Sequence, residues 1–271
     1  MKRIRIIVAD DSPICRAELR QILEQDRDIE IVGEASDGGT MLELLERHDP
    51  NLIVVDLQMP GVDGLTTVEQ VMAYRPVPIL VVTSRPEGRR RDVVFEAIRR
   101  GALDLAEKPG KNDAKSQALL RAKVRQLAPI PVIRHVAGRP PAVPQKSHSV
   151  ATGSFPGVHL PLIGVAASAG GPAALVNLLK DFPKDFPACF AVVQHLPRGF
   201  SKAFSEYLQS RLKLVVRVAE EGSKIVAGHV YVASDDSHLV VRNPMSLGLD
   251  DSPAIDGHRP AATALLSSMA R

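Results

Sequence analysis

Short apolar runs alternate along the chain with segments whose apolar residues recur at helical spacing. In the first part the runs are IRIIVA (4–9), IEIVGEA (29–35), NLIVVD (51–56), PILVVT (78–83) and ALDLAEK (102–108). Three of them are nearly continuous, as expected for parallel strands covered on both faces. Between and after them, helical spacing predicts helices over 13–25, 38–48, 64–74, 87–100 and 112–127. Ser12 and Pro13 give the first a cap residue and a first-turn proline. In the second, Met41, Leu44, Leu45 and His48 share one face. Five such β/α repeats predict one doubly wound sheet, with a domain over 1–127.

From 128 to 157 the pattern lapses into a stretch rich in Pro, Gly, Ser and Thr, which predicts a flexible linker. The alternation then resumes in a second domain, 158–271. LPLIGVAAS (160–168) predicts a strand, and Gly170-Gly171-Pro172 opens a helix carrying Leu175, Leu178 and Leu179. ACFAVVQH (188–195) predicts a strand and the segment near 200–211 a helix. HVYVASDDSHLVVR predicts two short strands around Ser234-Asp235-Asp236-Ser237. HRPAATALLSSMAR starts a final helix. The expectation is a second doubly wound, mostly parallel α/β domain, incomplete at its C-terminal end.

Composition narrows the class. The 271 residues suffice for two domains with their own cores, and 45% hydrophobic with 24% charged residues suits a soluble protein. With no Trp, those cores rest on Val, Ile, Leu and Ala. A net charge of +3 is far from that of a nucleic-acid arm. The region after the linker lacks a compact helix-turn-helix pattern, so a DNA-binding regulator and a nucleic-acid partner are not expected. Cys15 and Cys189, in different halves, predict buried thiols in a reducing compartment. The start has too short an apolar run for a signal peptide, and no stretch reaches membrane-span length. A cytoplasmic protein without membrane insertion is expected.

Four polar positions end four predicted parallel strands: Asp10-Asp11, Asp56, Thr83 and Lys108. That edge of an open α/β sheet is where ligands bind. Three converging carboxylates repel one another, and a hard cation such as Mg²⁺ would hold them ionised. A carboxylate beside it can attack a phosphoryl group and form an acyl phosphate. A nearby lysine and hydroxyl would neutralise and orient the oxygens. Singly, each acid reads as a helix cap or a solvated loop end; four strand ends agreeing favour the phosphoacceptor. VADDSP, VVDLQMPGVDGL, VVTS and EKP, in this order, resemble the signature set of response-regulator receiver domains over 3–127. The resemblance implies a flavodoxin-like (βα)₅ fold and phosphorylation of Asp56 by a histidine kinase. It implies Mg²⁺ held by Asp11, Asp56 and the backbone carbonyl of Gln58, with Asp10 assisting. Thr83 and Lys108 would sense the phosphate, and Lys108–Pro109 would be cis. Many receivers carry an aromatic switch residue three positions before the lysine; here it is Leu105, which argues against an aromatic rotamer switch.

In the second domain Ser168 follows a predicted strand and precedes Ala169-Gly170-Gly171-Pro172. A sharp turn there would expose Oγ, and helix N–H groups could stabilise an oxyanion. Ala166 replaces the first glycine of the usual G-x-S-x-G, so a turn serving only packing, or a phosphate cradle, remains an alternative. His195 ends the next strand and could act as general base if the two strands are neighbours. GVAASAGGPAAL, QHLPRGFSKAFSEYL, VAGHVYVASDDSHL and HRPAATALL resemble successive blocks of the chemotaxis protein-glutamate methylesterase domain, and the receiver-linker-esterase order is that family's. The resemblance implies hydrolysis of glutamate methyl esters, and deamidation of glutamines, on the cytoplasmic domains of chemoreceptors, without a cofactor for the esterase. Ser168 and His195 fall at two positions of its Ser-His-Asp triad.

The triad aspartate belongs to a Gly-Met-Gly-x-Asp-Gly segment that does not occur in this sequence. Asp235, Asp236, Asp250, Asp251 and Asp256 are acids outside that motif, and none is assigned. By analogy with serine proteases, loss of the acid lowers kcat by on the order of 10⁴. The expectation is therefore a C-terminally incomplete methylesterase, the alternative a catalytically impaired phospho-switch binding module. In the resembled family the unphosphorylated receiver covers the esterase cleft. Arg89, Arg90, Arg91, Arg99 and Arg100 could meet an acidic partner, although a solvated charged face is the commoner role.

Overall fold

The computed structural model describes residues 3–59, 64–84, 90–132 and 161–271, and it divides into two compact units. The first contains β1 (Ile4–Ala9), α1 (Pro13–Leu23), β2 (Ile29–Ala35), α2 (Gly38–Arg47), β3 (Leu52–Val55), α3 (Gly64–Tyr74), β4 (Ile79–Thr83), α4 (Arg90–Arg99), β5 (Asp104–Glu107) and α5 (Ala114–Leu127). Its strands form one parallel sheet in the order β2-β1-β3-β4-β5, the flavodoxin-like arrangement.

The continuous apolar runs become strands buried on both faces. Ile6, Val8, Leu52, Val54, Leu80 and Val82 pack with Leu19 and Leu23 of α1 and Leu120, Val124 and Leu127 of α5. Residues of opposite parity, among them Ile7, Ile53 and Val81, are buried on the other face. Helix starts are set by side-chain caps. Ser12 Oγ accepts from Cys15 N, Asp37 from Thr40 N and Asp113 from Ser116 N.

The second unit is built on β6 (Leu162–Ala167), β7 (Cys189–Gln194), β8 (Val215–Val218), β9 (His229–Val232), β10 (His238–Asn243) and β11 (Ser246–Asp250). β6-β7-β9-β8 form a parallel sheet, whereas β10 and β11 form a separate antiparallel pair. Its helices are α7 (Ser201–Gln209) and α8 (Ala262–Met269), and α6 (Gly171–Leu179) enters it at Leu175, the preceding residues Ser168–Ala174 grouping with the first unit. Cys189, Ala191, Val193, Tyr231, Leu239, Leu247 and Leu265 share one core. Phe182, Phe186 and Phe190 form a ring cluster with centroids 4.3–5.6 Å apart. Burial pushes the Cys189 thiol up to about 11, so it stays protonated and inert.

Two expectations are corrected. The chain does not become a free linker at 128: Ala128 and Ile130 pack against the first core, because α5 hands its apolar face on past its last turn. The rest of the linker lies, from residue 133, outside the described residues. The two short strands expected around Ser234–Ser237 are present, β9 joining the parallel sheet and β10 the antiparallel pair. Lys108–Pro109 is trans, and the cis bond among the described residues is Arg259–Pro260. The trans preference at an X–Pro bond is only ~0.5–1 kcal/mol, so local context decides it.

Candidate functional site

In the first unit the carboxyl ends of β1, β3, β4 and β5 converge. Asp10 is fully buried and Asp56 and Thr83 nearly so. Lys108 Nζ lies 2.6 Å from Asp10 Oδ2 and 2.6 Å from Asp56 Oδ2. Backbone bonds hold these ends in register: Asp56 N donates to Ala9 O at 2.8 Å, and Lys108 N to Thr83 O at 2.8 Å. Asp10 Oδ1 accepts from Ser12 N, and Asp56 Oδ1 accepts from Gln58 N at 3.1 Å, so each carboxylate is also aimed by its own loop. Thr83 Oγ1 donates to Ser84 O.

The site needs Gly64. A Cβ there would come within 2.5 Å of Leu57 Cα and 2.8 Å of Asp56 O, so α3 can seat against the acceptor loop only without a side chain. Asp11 is exposed beside this cluster, and Leu105 is fully buried. No three His, Cys, Asp or Glu side chains gather as a metal-holding group among the described residues. The donor chemistry nevertheless fits a hard cation. Every candidate donor is an oxygen, and one ammonium sits against two buried carboxylates, leaving the pair under-neutralised.

In the second unit β6 and β7 are parallel neighbours, with Ala167 opposite Gln194 as their last registered pair. Ser168 and His195 are therefore the next residue on each strand, at one sheet edge. His195 N donates to Ala167 O at 3.1 Å and extends the ladder by one bond. After Ser168 the chain turns sharply: Gly171 N donates to Ser168 O at 2.9 Å, and Gly170 has φ +73°, where a side chain is disfavoured. Ser168 thus lies between a strand end and the start of α6, the placement that a nucleophilic serine requires.

Four of the acids outside the triad motif have partners of their own. Asp235 accepts from Ser201 Oγ at 2.7 Å, Asp236 pairs with Arg198, Asp250 accepts from Ser252 and Asp251 from Ser237. The ring of His195 meets that of His258, centroids 4.0 Å apart and planes within 4°. His258 did not stand out in the sequence, where it was only the first letter of HRPAATALL.

Comparison with known proteins follows this division. Residues 6–120 match the response regulator receiver domain and residues 163–271 match the CheB methylesterase family. The chain is 39% identical over 276 residues to protein-glutamate methylesterase/protein-glutamine glutaminase 4 of Myxococcus xanthus (strain DK1622), covering 99% of this chain and 76% of that protein. It is 35% identical to the second such protein of Anaeromyxobacter dehalogenans (strain 2CP-C), covering 99% of this chain and 76% of that one. The corresponding protein of Paraburkholderia xenovorans (strain LB400) is 32% identical, over 100% of this chain and 77% of its own length. The chain belongs to the protein-glutamate methylesterase family.

A methylesterase of this family is a hydrolase, and here its two-part organisation is a receiver followed by an esterase unit. The flavodoxin-like sheet carries the acidic crevice, and the parallel β6–β7 edge carries the serine and histidine. No helix among the described residues is long and apolar enough to cross a membrane. Of the arginines noted around α4, Arg99 pairs with Glu96, and Arg100 pairs with Glu96 and Glu69. Arg89 and the side chains of Arg90 and Arg91 lie outside the described residues.

Proposed function

We propose that this chain is a cytoplasmic, phosphorylation-regulated esterase that removes methyl groups from glutamate methyl esters of chemoreceptors and deamidates receptor glutamines. The observation that carries this reading is the placement of Ser168 and His195 immediately after a registered pair on adjacent parallel strands, in a chain of this family.

Ser168 Oγ attacks the ester carbonyl while His195 takes its proton. The C–O bond to the methoxy group then breaks, and His195 returns the proton so that methanol leaves. Water, deprotonated by His195, attacks the acyl-serine, giving a glutamate carboxylate and restoring Ser168. With a glutamine side chain the leaving group is ammonia. Backbone N–H groups following Ser168 would stabilise the oxyanion.

In the receiver, Asp56 is the proposed phosphoacceptor and a chemotaxis histidine kinase the phosphodonor. Asp11, Asp56 and the Gln58 carbonyl, assisted by Asp10, would hold Mg²⁺, which supplies charge neutralisation for phosphoryl transfer. Lys108 and Thr83 would bind the phosphoryl oxygens. Lys108 is already at the acceptor carboxylate, and Thr83 is fixed to it by a backbone bond.

The test is methanol release from a methylated receptor fragment by the full chain, its Ser168→Ala variant and its His195→Ala variant. Release by the parent chain and loss in both variants is expected; release that survives Ser168→Ala would overturn the assignment.

A further inference from the structure

The stack of His258 on His195 stands on a loop that is braced from several directions. Ile255 N donates to His258 O at 3.1 Å and His258 N to Ile255 O at 2.9 Å, closing a two-residue turn. Its central residues, Asp256 and Gly257, have φ +49° and +82°. Two left-handed central residues define the primed type I turn, for which Asp-Gly is a preferred pair. After the turn, Arg259 Nη1 donates to Asp251 O and Ser252 O at 3.1 and 3.3 Å. Ala261 N donates to Nδ1 of the fully buried His238 at 3.0 Å. A backbone N–H can only donate, so the His238 proton lies on Nε2, which donates to Pro253 O at 3.2 Å. His238 therefore ties the two flanks of the turn together from inside β10.

These bonds hold in place a histidine that is itself only half-buried and belongs to neither core. Its contact is a parallel ring face against His195, 4.0 Å away. A face contact opposes rotation of the imidazole but does not consume its in-plane nitrogens, the atoms that move protons. We propose that His258 is a positioning residue for the esterase: its ring, presented by the Asp256-Gly257 turn, holds the His195 imidazole in the orientation that serves Ser168. This rests on the reading of His195 as the general base. The role calls for a flat ring and makes no demand on the His258 nitrogens. A phenylalanine should therefore replace it and an alanine should not.

The test uses the full chain, a methylated receptor fragment, and the variants His258→Ala, His258→Phe and Ser168→Ala. His258→Ala is expected to lower kcat about 10- to 100-fold, the scale of a misplaced catalytic group, with KM and thermal midpoint close to the parent's. His258→Phe is expected to recover most of the loss. In side-chain NMR spectra the His195 ring signals should move in His258→Ala, because the ring current of the neighbour is removed. Parental kcat in His258→Ala, or equal impairment in both His258 variants, would overturn the proposal. Ser168→Ala separates the two levels. If it retains turnover, the esterase reading fails and the NMR comparison decides the stacking alone, unmoved His195 signals counting against it.

Discussion

Lys108 Nζ sits 2.6 Å from Oδ2 of Asp56 and at the same distance from Oδ2 of Asp10, so one ammonium is shared by two carboxylates in a buried crevice. Burial by itself lowers the lysine pKa, but the hydrogen bonds and charges of Asp10 and Asp56 more than offset it. Lys108 is held above its ordinary value and stays charged. One positive charge against two negative ones leaves the crevice net negative. That imbalance is the physical reason to expect a second cation there.

Lys108→Met removes the shared cation and leaves both carboxylates uncompensated. Breaking such a buried pair costs about 3 kcal/mol, at the lower end of the usual range because Lys108 keeps some solvent contact. Thermal unfolding should show a lower receiver transition. Added Mg²⁺ should raise it more in the variant than in the parent. An equal Mg²⁺ response in both would contradict the proposed shared site.

Gly64→Ala should displace the loop that carries Asp56. The added carbon meets backbone atoms at 2.5 and 2.8 Å, which cannot rotate away as a side-chain tip could. Overpacking of this kind costs about 1–3 kcal/mol. Slower labelling of Asp56 by a small-molecule phosphodonor, together with a lower denaturation midpoint, is the expected result. A variant indistinguishable from the parent in both would show that the loop yields freely.

His238→Ala leaves Ala261 N–H and Pro253 C=O without their buried partner. Ala261 is buried and Pro253 exposed, so the N–H carries the cost of about 1–3 kcal/mol and the esterase unit should lose roughly 2 kcal/mol in denaturant unfolding. The effect should extend to the His258 turn, seen as faster amide exchange at Ile255 and His258. Unchanged exchange there would show that the turn stands without the brace.

Arg125 ties α5 to the segment before β2. Its Nε and Nη2 meet Asp28 at 2.8 and 2.9 Å, and Nη2 also meets Asp26. Hydrogen bonding to Arg125 is the main cause holding both carboxyls below their ordinary value. A lowered folded-state pKa contributes stability above the ordinary aspartate range, and that contribution is lost as pH falls through the folded values. Arg125→Ala should therefore be less stable than the parent at pH 7, with the gap closing in acid. A gap independent of pH would count against these pairs.

Much of this was legible in the sequence because it is local. β1 and β2 span the apolar runs read at 4–9 and 29–35, and α3 spans 64–74, since continuous apolar runs and helical spacing report burial directly. The strand-end acids and the Ser168/His195 edge followed from the same parallel topology. β8 and β11 were missed. VVRV is only four residues long, and SLGLD gains its strand from pairing with β10 across the Asn243–Ser246 turn. The His258 stack and the His238 brace were invisible for another reason. They join residues 63 and 23 positions apart, and no local pattern encodes such contacts.

One measurement reaches the central claim, that Asp56 chemistry governs a Ser168 esterase. Methanol release from a methylated receptor fragment should be followed with and without a phosphodonor and Mg²⁺, in the parent, Asp56→Asn and Ser168→Ala chains. The account predicts release that the phosphodonor increases in the parent, that no longer responds to it in Asp56→Asn, and that is absent in Ser168→Ala. Phosphodonor-stimulated release in Asp56→Asn, or release of any kind in Ser168→Ala, would contradict it.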